Sequence, residues 1–277
     1  MAALLAVRFE TIAGRHASAP PAGLEEVGLD LLDRASIAAA FERARPDAVV
    51  HCAAQSDPDR SEADPAPSHR LNVEASAALA GESRRRGLRL VALSTDLVFA
   101  GDRALSREEH ETGPILVYGR TKLLGEEAIL AEAPDAVVLR VALVAGRGHG
   151  RKATCTEKVA WSLRAGQPVR LYTDQIRTPA DSAAIADAVA RALERDASGR
   201  FHLGGPERLS RYELGLRVAS VLGLPAALVI ATTTTEMPQA GHRPADVSLD
   251  SSRARRELGW QPLPLDETIR DGRPGPD

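Results

Sequence analysis

Three segments, residues 47–52 (DAVVHC), 88–95 (LRLVALST) and 136–144 (AVVLRVALV), are short, mainly apolar runs, and each follows a stretch of helical length. A continuous apolar run of four to eight residues suits a strand buried on both faces. Strands buried on both faces need helices above and below, and that arrangement is a parallel α/β sheet. Residues 9–15 add a short strand near the start. Between the strands, residues 36–43 read as a helix with Ser36 as its cap. Residues 72–86 read as a helix ending at Gly87, and residues 118–132 as one halting before Pro134.

Beyond about residue 145 the rhythm loosens. Residues 181–195 form a clear helix after Thr178-Pro179, and 201–203 a short strand. Ser210 and Glu213 make a capping box for a helix that runs to about Leu222 before Gly223, and 250–258 is a last helix. Pro and Gly cluster in 272–276, which reads as a frayed tail. The expected organisation is a larger α/β unit over residues 1–145 and a smaller, partly interleaved substrate lobe over 146–277, with ligands in the cleft between them.

Composition narrows the function classes. Apolar residues are 44% and charged residues 26% of the chain, ordinary for a globular protein with a sizeable core. The formal net charge of −3 gives no bulk attraction to nucleic acid or an anionic membrane. No stretch nears the roughly 20 apolar residues a membrane helix needs. Cys52 and Cys155 form no CxxC pair, and Cys52 reads as a small core residue. A reduced, cytoplasmic setting is expected. The histidines show no metal-ligand spacing, and the run Arg84-Arg85-Arg86 reads as a complement to a helix C-terminus.

The sharpest signal is Tyr118-Gly119-Arg120-Thr121-Lys122. Lysines occur only at 122, 152 and 158 and tyrosines only at 118, 172 and 212, so their pairing four residues apart carries weight. On a helix that spacing puts both side chains on one face. A phenol with a pKa near 10 is a weak acid or base at neutral pH. An ammonium roughly 5 Å away at an effective dielectric of about 20 lowers that value by roughly two units. An isolated pair of this kind also occurs on helix surfaces. Here, however, residues 88–95 end in Ser94-Thr95-Asp96, where a hydroxyl meets the ligand side of a parallel sheet. Thr95 is placed to orient the oxygen that Tyr118 protonates.

With these motifs the chain resembles the extended short-chain dehydrogenase/reductase superfamily, and within it the dTDP-4-dehydrorhamnose reductase group. The resemblance is carried by residues 51–59 (HCAAQSDPD), 94–99 (STDLVF), 118–122 (YGRTK), Leu139-Arg140-Val141-Ala142, Asp174-Gln175 with Thr178-Pro179, and 242–250 (HRPADVSLD). It implies a Rossmann-like doubly wound sheet and an NAD(P)-dependent oxidoreductase acting on a nucleotide-linked 4-keto sugar. It further implies that Tyr118 is the general acid, that Lys122 holds the nicotinamide ribose and tunes Tyr118, and that Thr95 completes the triad. Asn72 matches an asparagine on the preceding helix.

On the cofactor side, Asp30 and Leu31 resemble an adenine-contacting pair, with a helix-capping aspartate as the alternative. Ala53 and Ala54 end a strand, where small side chains admit a cofactor; Ala142 is a further contact. After the first strand no acidic residue is placed for a ribose 2′-OH. Arg15 with Ser18 instead favours NADP(H) over NAD(H). On the substrate side stand Thr95, Asp96, Asp174 and Gln175, and Arg243 to grip a diphosphate. Ile176-Arg177 replaces the usual glycine after Asp174-Gln175 and puts the sugar's identity in doubt.

The front of the chain departs most. The strand and Gly-rich turn that should open the fold are not readable, residues 2–7 resemble the tail of the first helix, and roughly 20 residues are expected to be missing. Three explanations stand: a start lying upstream, a decayed copy, or a role without dinucleotide. The expected partners are a nucleotide sugar and a second copy of the chain. A sugar-nucleotide epimerase is the enzymatic alternative. A non-catalytic subunit, like the β subunit of methionine adenosyltransferase, is the other.

Overall fold

The structure is a computed structural model that describes residues 1–16, 23–148, 153–237 and 241–272. In chain order it begins with a short helix α1 (Ala2–Leu5), strands β1 (Ile12–Arg15) and β2 (Glu25–Gly28), helix α2 (Arg34–Ala44) and strand β3 (Ala48–His51). Two short helices, α3 (Pro58–Ala63) and α4 (Pro65–His69), lead through a π-helical turn (Arg70–Glu74) into α5 (Ala75–Arg85), then β4 (Arg89–Thr95), α6 (Val117–Glu132) and β5 (Val137–Val141). The later half holds β6 (Val144–Ala145), α7 (Cys155–Arg164), β7 (Val169–Tyr172), β8 (Ile176–Arg177), β9 (Ala180–Asp181), α8 (Ser182–Glu194) and β10 (Gly199–Leu203). It closes with β11 (Leu209–Ser210), α9 (Arg211–Leu222), β12 (Val229–Thr232), a second π-helical turn (Ala254–Leu258) and α10 (Leu265–Arg270).

The main sheet is parallel throughout, in the order β10-β5-β4-β3. Alternate side chains of its strands go to opposite faces. Val91, Val137 and Leu139 meet α8, Leu5 and Trp260 on one face, while Leu90, Ala92 and Val138 meet Ala80 and Ile129 from α5 and α6 on the other. Trp260 is locked by its indole N–H donating to Ala184 O at 2.7 Å. Every residue of β5 is buried, which is why the sequence there is apolar at nearly every position. A separate cluster joins α7, α9 and α10 to β7 and β12 around Leu163, Leu171, Leu214, Val218 and Ile269.

The first strand of the chain starts at Ile12 rather than Phe9, and among the described residues it pairs with β2 alone, in a two-stranded parallel sheet. β3 pairs only with β4, and its residues Ala48, Val49 and Val50 are half-buried. Among the described residues, no strand joins β1 to β3.

Helix ends follow local chemistry with one correction. α2 is capped by Asp33, whose carboxylate accepts Ala35 N–H at 2.9 Å; Ser36 lies inside the helix and its hydroxyl accepts Asp30 N–H at 2.9 Å. An aspartate three residues earlier captures the free amides first. The Ser210/Glu213 box forms as expected, and a second one, Thr154 with Glu157, opens α7. Gly87 and Gly223 take the positive φ angles of +67° and +64° that end α5 and α9. Arg85 and Arg86 pair with Glu82, and Arg86 also reaches Glu42. None of the described helices is long and apolar enough to cross a membrane.

Candidate active site

Helix α6 approaches its neighbours closely at two glycines. A Cβ on Gly119 would overlap Leu97 O, and one on Gly125 would overlap Asn72 O. The helix therefore lies against the turn after β4 and against the π-helical turn that holds Asn72. Its own start lacks a capping side chain, and Glu62 supplies one from α3 by accepting Val117 N–H at 2.6 Å.

Asn72 ties these pieces together. Its Nδ2 donates to Thr121 Oγ1 at 2.9 Å and to Gln55 O at 3.3 Å, and its Oδ1 accepts Gln55 N–H at 2.9 Å. The loop after β3, with Ala53 and Ala54, is thereby fixed beside α6. A π-helical turn at this point displaces Asn72 from regular α-helical register, a local device frequent at functional sites.

At the end of β4, Thr95 Oγ1 accepts Leu97 N–H at 3.2 Å and donates to Asp96 Oδ1 at 3.0 Å. The Tyr118 phenol faces both residues. Burial first and the Asp96 charge second push its pKa up to about 12, with the Thr95 hydroxyl pulling the other way. This corrects the expectation that Lys122 lowers it. Lys122 lies one turn along on the same face, but its Nζ donates to Leu93 O at 2.8 Å, and desolvating a phenolate outweighs what a charge so engaged returns. Lys122 is itself pulled down to about 8 by burial, against an opposing push from Glu126. Asp96 is raised to about 6, again by burial, with Arg177 opposing.

From Asp96 a line of charged groups leads away from the phenol. Arg177 faces Asp96, Arg211, Asp246 and Arg243. The sequence marked Arg177 only as a departure; in the structure it is a buried clamp, donating to Ile176 O at 2.6 Å, Ala245 O at 3.1 Å and Pro244 O at 3.2 Å. Arg243, 9% exposed, pairs through Nη2 with Asp59, while its buried Nη1 has no partner among the described residues. Asp174 Oδ2 accepts from the Thr234 amide at 2.9 Å and hydroxyl at 2.6 Å; its Oδ1 is buried and likewise without a partner among them. Tyr172 faces Arg243, Arg211, Asp174 and Asp59. Gln175 is buried, its carbonyl accepting Arg211 N–H at 3.0 Å.

The remaining expected cofactor residues are more dispersed. Arg15 Nε is bonded to Glu26 Oε1 at 2.9 Å on the neighbouring strand. Asp30 Oδ1 accepts Leu32 N–H at 2.9 Å, and Leu31 packs against the Ile37, Phe41 and Leu79 cluster. Ala142 is buried with Val98, Phe99, Val247 and Leu249. Ser18 lies outside the described residues. Cys52 is exposed at the end of β3, a correction to its reading as a core residue; a side chain past the last paired residue has no strand to cover it. Among the described residues no cluster of His, Cys, Asp or Glu is arranged to hold a metal ion.

One residue escaped the sequence reading altogether. Glu126, at 2% exposure, continues the Tyr118 and Lys122 face by another turn and accepts from Ser94, Arg140 and Arg200. The repeated spacing of four was the available signal.

A family model described as the RmlD substrate binding domain matches residues 8–271. The Haloferax volcanii protein named "Probable low-salt glycan biosynthesis reductase Agl14" is 31% identical over 244 residues, 87% of this chain and 81% of its own. The Bos taurus "Methionine adenosyltransferase 2 subunit beta" is 32% identical over 235 residues, 81% of this chain and 69% of its own. Among solved structures, a hypothetical dTDP-4-dehydrorhamnose reductase from Sulfolobus tokodaii superposes with a TM-score of 0.83 at 29% identity, over 96% of this chain and 93% of that one. The fold also matches dTDP-4-dehydrorhamnose reductase from Bacillus anthracis in complex with NADP, with a TM-score of 0.82 at 22% identity, over 90% of this chain and 88% of that one.

Proposed function

We propose that this chain, which belongs to the RmlD substrate binding domain family of the extended short-chain dehydrogenase/reductase superfamily, reduces the keto group of a nucleotide-linked 4-keto sugar. The observation that carries the reading is the convergence of Thr95, Tyr118 and Lys122 at the end of β4, braced by Asn72. The residues present fit a nicotinamide cofactor at its ribose end. The Lys122 ammonium is buried and spends one of its three N–H groups on Leu93 O, leaving donors for ribose hydroxyls. Ala53 and Ala54 offer a close approach, and Arg15 favours NADP(H) over NAD(H). The cofactor, when bound, supplies the hydride.

The chain's own residues supply the proton. With its pKa near 12, the Tyr118 phenol is protonated at neutral pH and is an acid waiting for a developing alkoxide. That state suits reduction. Thr95 orients the carbonyl oxygen beside Tyr118. Arg243, through its Nη1 without a partner among the described residues, is set to bind a phosphate oxygen, and Asp174 Oδ1 to accept from a hydroxyl or N–H of the substrate. In this reading residues 1–145 serve the cofactor and 146–277 most of the substrate.

Purified protein is mixed with NADPH or NADH and a panel of nucleotide-linked 4-keto sugars, following absorbance at 340 nm and the product by mass. Coenzyme oxidation matched by a gain of two hydrogens in the sugar is expected; its absence across the panel overturns the reading. A second reading, a non-catalytic subunit, draws on the likeness to the methionine adenosyltransferase subunit. Calorimetry with NADPH separates the two, because that reading expects neither heat of binding nor turnover.

A further inference from the structure

Glu126 is a buried carboxylate on the same helix as Tyr118 and Lys122. It lies at i+4 from Lys122 and i+8 from Tyr118, on the face of α6 that meets the sheet. Its Oε1 accepts from the Ser94 hydroxyl at 2.5 Å and from Arg140 Nε at 3.0 Å; its Oε2 accepts from Arg140 Nη2 at 2.8 Å and Arg200 Nε at 2.9 Å. One carboxylate thus bonds side chains of β4, β5 and β10, at the point where β4 turns into the Thr95-Asp96 site. Arg140 is fixed in turn over the Phe99 ring, 5.2 Å from its centre, and beside His202. Every oxygen of Glu126 is occupied, so its rotamer is not free to follow Lys122.

We propose that Glu126 is a positioning residue, which anchors α6 to three strands and holds the Lys122 side chain as an ammonium at the end of β4. The role matters for catalysis only if Lys122 binds the cofactor ribose, so it rests on the proposed function; the position and charge of Lys122 can be read without it. Around Lys122 stand few groups that would do the same work. Tyr118 shares its helix, and His51 and Cys52 face it from the end of β3, with the Met1 amino group beyond Cys52. His51, bonded to Ser76 at 2.9 Å, is kept neutral by burial and by Lys122 itself. Arg140 and Arg200 lie behind Glu126 and oppose a second cation. Glu126 is the fully buried carboxylate in this set.

The test uses the scarcity of lysine. With only Lys122, Lys152 and Lys158 in the sequence, metabolic labelling with 13Cε-lysine gives three resonances, assigned with the variants K152R and K158R. The Lys122 signal in the full-length protein is expected to titrate near pH 8. In Glu126→Gln its midpoint falls by about one to two units, the effect of removing a unit charge roughly 6 Å away at an effective dielectric of about 20. A fall of less than about half a unit in the folded variant overturns the proposal. If Glu126→Gln does not fold, Arg140→Gln decides. Freeing the carboxylate from its strongest partner raises the midpoint by at least about half a unit, and no rise overturns the proposal. Both readings hold whether or not the protein reduces a sugar.

Discussion

Thr95 donates its hydroxyl proton to the Asp96 carboxylate at 3.0 Å, and both residues face the Tyr118 phenol. The acid of the site is therefore flanked by a second acid, and the charge on Asp96 adds to burial in keeping Tyr118 protonated. At about 12 the phenol is a weaker acid than a free tyrosine, so its proton passes only to a strongly basic oxygen such as an alkoxide.

Tyr118→Phe removes the hydroxyl proposed to protonate the substrate. Turnover is expected to fall by about 100- to 10,000-fold, with the urea midpoint within experimental scatter of the parent. Wild-type rates of coenzyme oxidation in this variant would refute the role.

Asp96→Asn tests the raised carboxyl. Its folded pKa, about 6, lies above the ordinary value of 3.8, so the folded state holds this proton more tightly than the unfolded chain. Stability is lost as pH climbs from about 4 through 6, and the asparagine variant escapes that loss. Relative to the parent, the variant is expected to gain about 2 kcal/mol between pH 4 and pH 7. Urea titrations at the two pH values measure it, and equal differences at both would contradict the account.

Gly125→Ala brings a methyl group onto the Asn72 carbonyl. Because the obstacle is backbone, the helices must separate, at a cost of about 1–3 kcal/mol typical of overpacking. The Asn72 to Thr121 bond is expected to break with them. Lower thermal stability together with weakened coenzyme binding is the predicted pair of results; unaltered binding would show that Asn72 is not coupled to the site through α6.

Arg243→Gln separates binding from chemistry. In the proposed role Arg243 would contact substrate in ground and transition states alike, so KM should rise about tenfold or more while kcat stays within about threefold. Steady-state kinetics with one nucleotide sugar and with its free sugar checks this, the free sugar being insensitive to the change.

Much of the site was legible because its chemistry sits in short local motifs. Tyr118 and Lys122 share a helix face by spacing alone, and Thr95 is marked by the end of an apolar strand. Arg243 and Asp174 are local in sequence too, but their significance depends on one partnerless atom in each, which no spacing reveals. Glu126 went unread because its partners come from three strands that meet only in the sheet. Arg177 was visible only as an oddity, since its acceptors are carbonyls at 176, 244 and 245.

The amino-acid order by itself determined the parallel α/β fold, the helix carrying Tyr118 and Lys122, and the capping box at Ser210, because periodicity and hydrogen-bond caps act over a few residues. Tertiary structure decided the ionisation of the site. Whether a phenol is lowered by a lysine or raised by burial depends on which atoms lie within a few ångströms and how much water is excluded. Here the Lys122 ammonium is engaged by Leu93 O and the phenol faces Asp96. The unpaired edges of β1 and β3 likewise belong to the assembled sheet, since a strand's neighbours are chosen in space and not along the chain.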